Sequence, residues 1–130
     1  RIDIHIEVPA LKYEELARKE LGEPSAAIRE RVNKARALQL ARFKTLKRKK
    51  PIFCNGQMET KEIKKFCEIS EECAKLLKQA IDHFGLSARA YDRILKVART
   101  IADLEGSGDI RPVHIAEAIQ YRSLDRNLWQ

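Results

Sequence analysis

Arg89 is the residue of this chain whose position most clearly suggests chemistry. It lies in the first turn of an expected helix over residues 87–104, where the helix dipole disfavours a cation by about 0.3–1 kcal/mol. Two interpretations are open. The guanidinium reaches an anionic group such as a phosphate, or it forms an i,i+3 ion pair with Asp92, worth about 0.2–0.5 kcal/mol. Arg93 follows one turn later and is expected on the same face.

A second candidate site is the basic run over residues 42–50, which contains no acidic residue. Such a run is typical of contacts with DNA or RNA phosphates that carry no sequence specificity. It is more often a solvated, mobile loop, and both interpretations stay open. The candidate nucleic-acid-binding residues are Arg42, Lys44, Lys47, Arg48, Lys49 and Lys50.

The three cysteines, Cys54, Cys67 and Cys73, have neither a disulfide pattern nor the Cys-x₂₋₄-Cys spacing of a zinc site. Even with His83 added, idle or buried thiols are the better interpretation, so no metal site is predicted. The sequence also lacks a Walker A loop, a dinucleotide fingerprint and a His-Glu-x-x-His motif. We therefore do not expect this chain to hydrolyse a nucleotide by itself or to hold a cofactor.

The elements that must position these residues are expected to be helical. The chain has 130 residues, a net charge of +7, only five glycines and four prolines, and 6% aromatic residues, which favours an α-rich fold. The alternation of apolar and polar residues up to Pro9 predicts one short strand. Helical periodicity, caps and breakers predict helices over residues 13–21, 24–43, 59–66, 70–84 and 87–104, and a last one from Pro112.

The predicted helix over residues 24–43 has an expected core stripe at Ile28, Val32, Ala35, Leu38 and Ala41. Residues 44–57 are expected to form a linker or exposed loop, with a turn at Asn55-Gly56. The fold prediction is thus an all-α helical bundle, preceded by a short N-terminal strand and a long basic helix.

No apolar run approaches the ~18 residues of a transmembrane helix, so no membrane partner is expected. An odd number of cysteines without close pairing suggests a reducing cytoplasm. The chain begins with Arg1 instead of methionine, and its lone predicted strand needs a sheet, so we expect a piece of a longer protein.

Four stretches of the chain resemble the C-terminal domain of the magnesium-chelatase-like AAA+ proteins, the ComM/YifB competence family. They are residues 1–9, 25–32, 87–104 and 114–126, and they span nearly the whole chain, although the basic loop at 44–54 is not part of the likeness. The resemblance implies three parts: the end of an AAA+ core at residues 1–10, connecting helices and a basic loop at 11–57, and a helical lid domain at 58–130.

The resemblance also implies roles for two arginines. Arg89, in Ser87-Ala88-Arg89, is similar to the sensor-2 arginine that approaches the γ-phosphate of ATP. Arg1, in Arg1-Ile2-Asp3, resembles the arginine finger of related helicases, with Ile2 in place of their aromatic residue. A finger of this kind acts on the neighbouring subunit's ATP and accelerates phosphoryl transfer by about 10³–10⁵.

For the whole protein, the resemblance implies a homo-hexameric ATPase that uses ATP and Mg²⁺ and remodels DNA as a branch-migration helicase. The partners of this chain would be its own upstream AAA+ core, the neighbouring subunits and DNA. Three alternatives remain: the motor subunit of a metal chelatase, a stand-alone basic DNA-binding module, or a structural role in ring assembly.

Overall fold

The structure is a computed structural model that describes residues 3–8, 22–47 and 49–128, with side chains up to residue 122. Five α-helices occur in these ranges, and a 3₁₀ turn, Asn55–Gln57, separates the first two. The helices are α1 (Ser25–Lys44), α2 (Thr60–Phe66), α3 (Glu71–Phe84), α4 (Ala88–Glu105) and α5 (Pro112–Leu128). The prediction of a helical bundle is therefore confirmed for the described residues, whereas the helix predicted at 13–21 lies outside them.

Local signals determine where α3 and α4 begin and end. The hydroxyls of Ser70 and Ser87 accept hydrogen bonds from backbone N–H groups three residues later, each at 3.3 Å. Gly85 and Gly106 follow the last turns with φ values of 63° and 81°, in the left-handed region that glycine adopts without a steric penalty. These starts and stops agree with the sequence predictions.

Helix α4 lies at the centre of the bundle. It packs against α1, α2, α5 and the 3₁₀ turn, while α3 packs against α5. Ile94 and Ala98 of α4 are almost completely buried. The other core side chains include Phe43, Met58, Ile63, Leu77, Ile110 and Ile115. Because α4 contacts most of the other elements, the helix that carries Arg89 has a defined position in the fold.

The predicted core stripe of α1 is mostly wrong. Ile28, Val32 and Leu38 are 41%, 37% and 46% exposed, and the buried residues of this helix are Ala35, Gln39 and Phe43. The physical reason is that, among the described residues, the neighbouring elements bury side chains only from Ala35 onward, at every fourth position, where α1 meets α4 and the 3₁₀ turn. Its N-terminal part keeps an apolar surface in solvent.

The predicted N-terminal strand is not observed, because residues 3–8 adopt no regular secondary structure. The described residues provide no second strand to pair with it, and a single strand cannot satisfy its own backbone groups. One backbone hydrogen bond, from His5 N–H to the carbonyl of Tyr121 at 3.1 Å, attaches the segment to α5. Ile6 and Val8 are 68% and 83% exposed, as expected for an apolar face without a partner.

None of the helices in the described part of the chain is both long enough and apolar enough to cross a membrane.

Candidate functional site

Arg89 is exposed in the first turn of α4, two residues after the N-cap Ser87. Its guanidinium forms no ion pair or hydrogen bond with any residue that the structure describes, so the interpretation as an ion pair with Asp92 is not supported. The local penalty of a cation at a helix N-terminus is therefore not offset inside the described chain. This is the electrostatic state of a side chain that is free to meet an external anion.

Arg93, one turn later, has a different environment. Its Nε lies 3.6 Å from Oδ1 of Asp3, and the two side chains are 29% and 41% exposed. Asp3 thus lies beside the first half of α4. Arg1, the predicted arginine finger, lies outside the described residues, so its role stays a prediction.

The residues of the basic run differ in their environments. Arg42 faces α4 with a side chain only 15% exposed, and its Nη2 lies 2.6 Å from Oδ1 of Asp103. Its Nη1 donates to the other carboxylate oxygen of Asp103 and to Oδ1 of Asn55, both at 2.9 Å. A guanidinium held in this way has few donors left for a phosphate. Arg42 is therefore separated from the lysines that follow it.

Asp103 also binds a second guanidinium. Nη2 of Arg99, one turn earlier on α4, lies 3.2 Å from Oδ1 of Asp103, and these side chains are 6% and 1% exposed. Arg99 also donates to the backbone carbonyls of Ser107 and Gly108, at 2.9 and 3.0 Å. One buried carboxylate thus joins the C-terminal end of α1, helix α4 and the loop that follows α4.

Asn55 completes this buried polar network. Its side-chain amide donates to Asp103 at 2.9 Å and to the hydroxyl of Thr100 at 3.0 Å. Its backbone N–H donates to Oε1 of Gln39 on α1 at 2.9 Å. The sequence predicts only a turn at Asn55-Gly56. The i,i+4 spacing of Arg99 and Asp103 was a signal for part of the network, but Arg42 is 61 residues away from Asp103 in the chain.

The lysines of the basic run are exposed, in contrast to Arg42. None of them forms an ion pair or hydrogen bond with a described residue. Arg48 lies outside the described residues. The exposed members are Lys44, Lys47, Lys49 and Lys50.

A third polar cluster lies at the opposite end of α4 from Arg89. The backbone N–H of Arg111 donates to Nδ1 of His114 at 2.9 Å, so the imidazole proton is on Nε2, which donates to Glu105. The side chain of Arg111 also pairs with Glu105. His114 is 1% exposed, and its two ring nitrogens connect the end of α4 to the start of α5.

This cluster makes the free energy of unfolding depend on pH in the acidic range. The hydrogen bond from His114, with the charge of Arg111, holds the pKa of Glu105 below its usual value of 4.5. The native state therefore favours the ionised carboxylate, and its contribution to stability is complete above pH 4.5 and lost as the pH falls below it. We expect Glu105→Gln to flatten the fall in urea stability between pH 5 and pH 3. Glu68→Gln, at an exposed glutamate without an ion pair among the described residues, is the matched control, and an equal change in both variants would contradict the prediction.

The cysteines are free thiols, and no group of three or more possible ligands suited to a metal ion occurs among the described residues. Burial raises the pKa of the Cys67 thiol to about 11, although the charges of Arg99 and Arg42 partly oppose this effect. Cys73 is fully buried, and its Sγ lies 3.6 Å from the carbonyl oxygen of Ile110. Since the thiolate is the reactive form, Cys67 is a poor nucleophile in the native state, and burial keeps reagents away from Cys73.

Thiol labelling tests this difference. At neutral pH, Cys54, which is partly exposed, should react with an aromatic disulfide reagent first, and Cys67 and Cys73 should react only when the bundle unfolds. A Cys54→Ser variant should lose the fast phase alone. Equal rates for all three thiols in the absence of denaturant would contradict the burial of Cys67 and Cys73.

Comparison with known proteins places these features in context. Residues 22–122 match the family described as magnesium chelatase, subunit ChlI C-terminal. The chain is 42% identical over 129 residues to the competence protein ComM of Haemophilus influenzae, a match that covers 98% of this chain and 24% of that protein. It is 39% identical, over the same shares, to the uncharacterized protein YifB of Escherichia coli K12. The chain thus spans about a quarter of the length of the curated relatives it matches.

Proposed function

Because this chain belongs to the family of the magnesium chelatase subunit ChlI C-terminal domain, with ComM and YifB among its relatives, we propose that it is the helical lid of an AAA+ ATPase. The longer protein would bind ATP with Mg²⁺ on its upstream core, in a ring with neighbouring subunits. It would use hydrolysis to remodel DNA. We favour DNA remodelling over the role of a chelatase motor because the similarity to the competence protein ComM extends over 98% of the chain.

The observation that carries the proposal is the state of Arg89. It is exposed and unpaired among the described residues, at the first turn of the most central helix of the bundle. An arginine presents a planar, permanently charged group that matches phosphate geometry. In this role, Arg89 contacts the terminal phosphate of ATP bound on the core. Helix α4 then transmits that contact to the rest of the lid.

The buried network gives the lid a mechanical role in the same proposal. Asp103 binds Arg42 of α1, so α1 and α4 are connected by charged hydrogen bonds in addition to apolar packing. A movement of α4 toward or away from a nucleotide would therefore carry α1 with it. The division of the chain at residues 57 and 58 and the finger role of Arg1 remain proposals.

The direct test is ATP hydrolysis by the longer protein that contains this chain, with and without Arg89→Ala. The proposal predicts a severe loss of turnover with an unchanged fold. Turnover at the level of the unsubstituted protein would contradict it.

A second candidate function is direct binding of nucleic acid by the basic run. The observation that favours it is the group of exposed lysines without intramolecular partners in the described chain: Lys44, Lys47, Lys49 and Lys50. We propose that they contact phosphates, while Arg42 holds α1 in place. Binding that weakens steeply as salt rises would support this function, and no binding at low salt would contradict it.

A further inference from the structure

Helix α2 has an outer face composed of lysines. Glu62 and Ile63 are buried, whereas Lys61, Lys64 and Lys65, at helical spacings of three and four residues, are exposed. None of the three lysines has an ion-pair or hydrogen-bond partner among the described residues. Like charges at i,i+3 and i,i+4 repel each other, so this face does not stabilise a short helix in isolation.

The two acidic residues at the start of α2, Glu59 and Glu62, bind backbone groups of the helix terminus. Glu59 and Glu62 form a capping box at the start of α2, in which each carboxylate accepts a hydrogen bond from the other residue's backbone N–H. Oε1 of Glu62 lies 3.0 Å from the backbone nitrogen of Glu59. These carboxylates are thus directed at the helix terminus, and the lysines opposite keep their charge available to solvent.

Tertiary packing places α2 beside the basic run. The rings of Phe43 and Phe66 meet edge to face with centroids 5.5 Å apart. Each ring is next in the chain to an exposed lysine, Lys44 in one case and Lys65 in the other, and Nζ of Lys65 lies 5.3 Å from the centre of the Phe66 ring. The C-terminal residues of α1 and α2 are therefore in contact through these two rings, and each ring has an exposed lysine beside it in the chain.

An exposed aromatic ring lies between the basic run and the 3₁₀ turn. The side chain of Phe53 is 57% exposed, although its backbone N–H donates to Oε1 of Gln57 at 2.7 Å. The 3₁₀ turn that contains Gln57 is in turn attached to α4 by a hydrogen bond from Lys96 to the carbonyl of Gly56 at 3.2 Å. Phe53 is thus an apolar ring presented to solvent from an anchored backbone.

From these contacts we infer that the α2 lysine face, the exposed lysines of the basic run and Phe53 form one binding surface for single-stranded nucleic acid. The lysines contact successive phosphates, and Phe53 stacks on an unpaired base, the usual combination for single strands. A duplex offers the phosphates but no accessible base face, so the exposed ring favours a single strand. This inference rests on the proposed contact of the basic run with nucleic acid, and it adds α2 and Phe53 to that contact.

Fluorescence anisotropy with labelled 15-mers, oligothymidylate and an abasic strand of equal charge, tests the surface in the 130-residue chain. We expect Lys61→Glu/Lys64→Glu to weaken binding to both strands by about tenfold or more and to lower the salt slope by about 1.4. The matched control is Lys75→Glu/Lys78→Glu, an exposed pair with the same spacing on α3, which should change binding far less. Equal effects of the two charge reversals would overturn the inference.

Phe53→Ala tests the stacking contact separately. It should weaken binding to oligothymidylate about fivefold or more and leave binding to the abasic strand unchanged. Equal losses with both strands, no loss with either, or tighter binding of a duplex than of the single strand would overturn the inference.

A Lys47→Glu/Lys49→Glu variant distinguishes this inference from the function on which it rests. If this variant weakens binding while the α2 pair and Phe53→Ala have no effect, the basic run binds alone and the further inference is wrong. If none of the variants weakens binding, both proposals are wrong. Circular dichroism of each variant confirms that the helices are intact.

Discussion

Replacement of Asp103 by alanine should lower the free energy of unfolding by about 3–5 kcal/mol, because it removes the one carboxylate that two buried guanidiniums share. Arg42 and Arg99 are 15% and 6% exposed, so neither can be fully rehydrated without movement of α1 or of the loop after α4. A loss of this size is a large part of the total stability of a domain, which is about 5–15 kcal/mol. Urea unfolding followed by circular dichroism measures it.

Two variants show whether the loss of stability comes from guanidinium groups that are left without a carboxylate partner. Arg42→Met/Asp103→Asn removes one guanidinium and the carboxylate together, and should cost less than Asp103→Ala because fewer buried donors remain unpaired. Asp82→Ala, at an exposed aspartate of α3, should change stability by less than about 0.5 kcal/mol. If Asp103→Ala costs no more than Asp82→Ala, the network does not hold α1 on α4.

Replacement of Arg89 by alanine should have the largest effect on activity. In the longer protein we expect turnover of ATP to fall by about 10²–10³-fold, the usual cost of removing one group that stabilises developing charge. The urea stability of the lid should change little, because the Arg89 side chain is exposed and makes no ion pair among the described residues. A loss of activity without a loss of stability separates a phosphate contact from a structural role.

Two control variants accompany Arg89→Ala: a conservative change at Arg89 itself and an alanine at the neighbouring Arg93. Arg89→Lys keeps the charge but loses the planar pair of donors, so turnover should recover only in part. Arg93→Ala, one turn later, removes a guanidinium that lies beside Asp3 and should affect turnover much less. If both alanine variants lower turnover equally, the effect belongs to the charge of this helix face and not to Arg89.

The sequence by itself determined the helices of the bundle, because their signals are local. Ser70 and Ser87 bind backbone groups only three residues away, and Gly85 and Gly106 are needed where the backbone turns left-handed. The position of Arg89 in the first turn of α4 follows directly from the Ser87 cap. The likeness to a family was also recognisable in the sequence, and residues 22–122 match that family.

Only the tertiary structure decided which faces are buried and which charges are free. A periodic pattern gives candidate faces, but the neighbours that cover a helix decide between them, and α1 buries Gln39 and Phe43 while Ile28 stays exposed. In the sequence, Arg42 and the lysines after it belong to one basic run, and nothing local distinguishes them. Folding directs Arg42 to Asp103, 61 residues away, and leaves the lysines in solvent. Burial of a charge depends on a partner that is distant in the chain, and no local pattern contains that information.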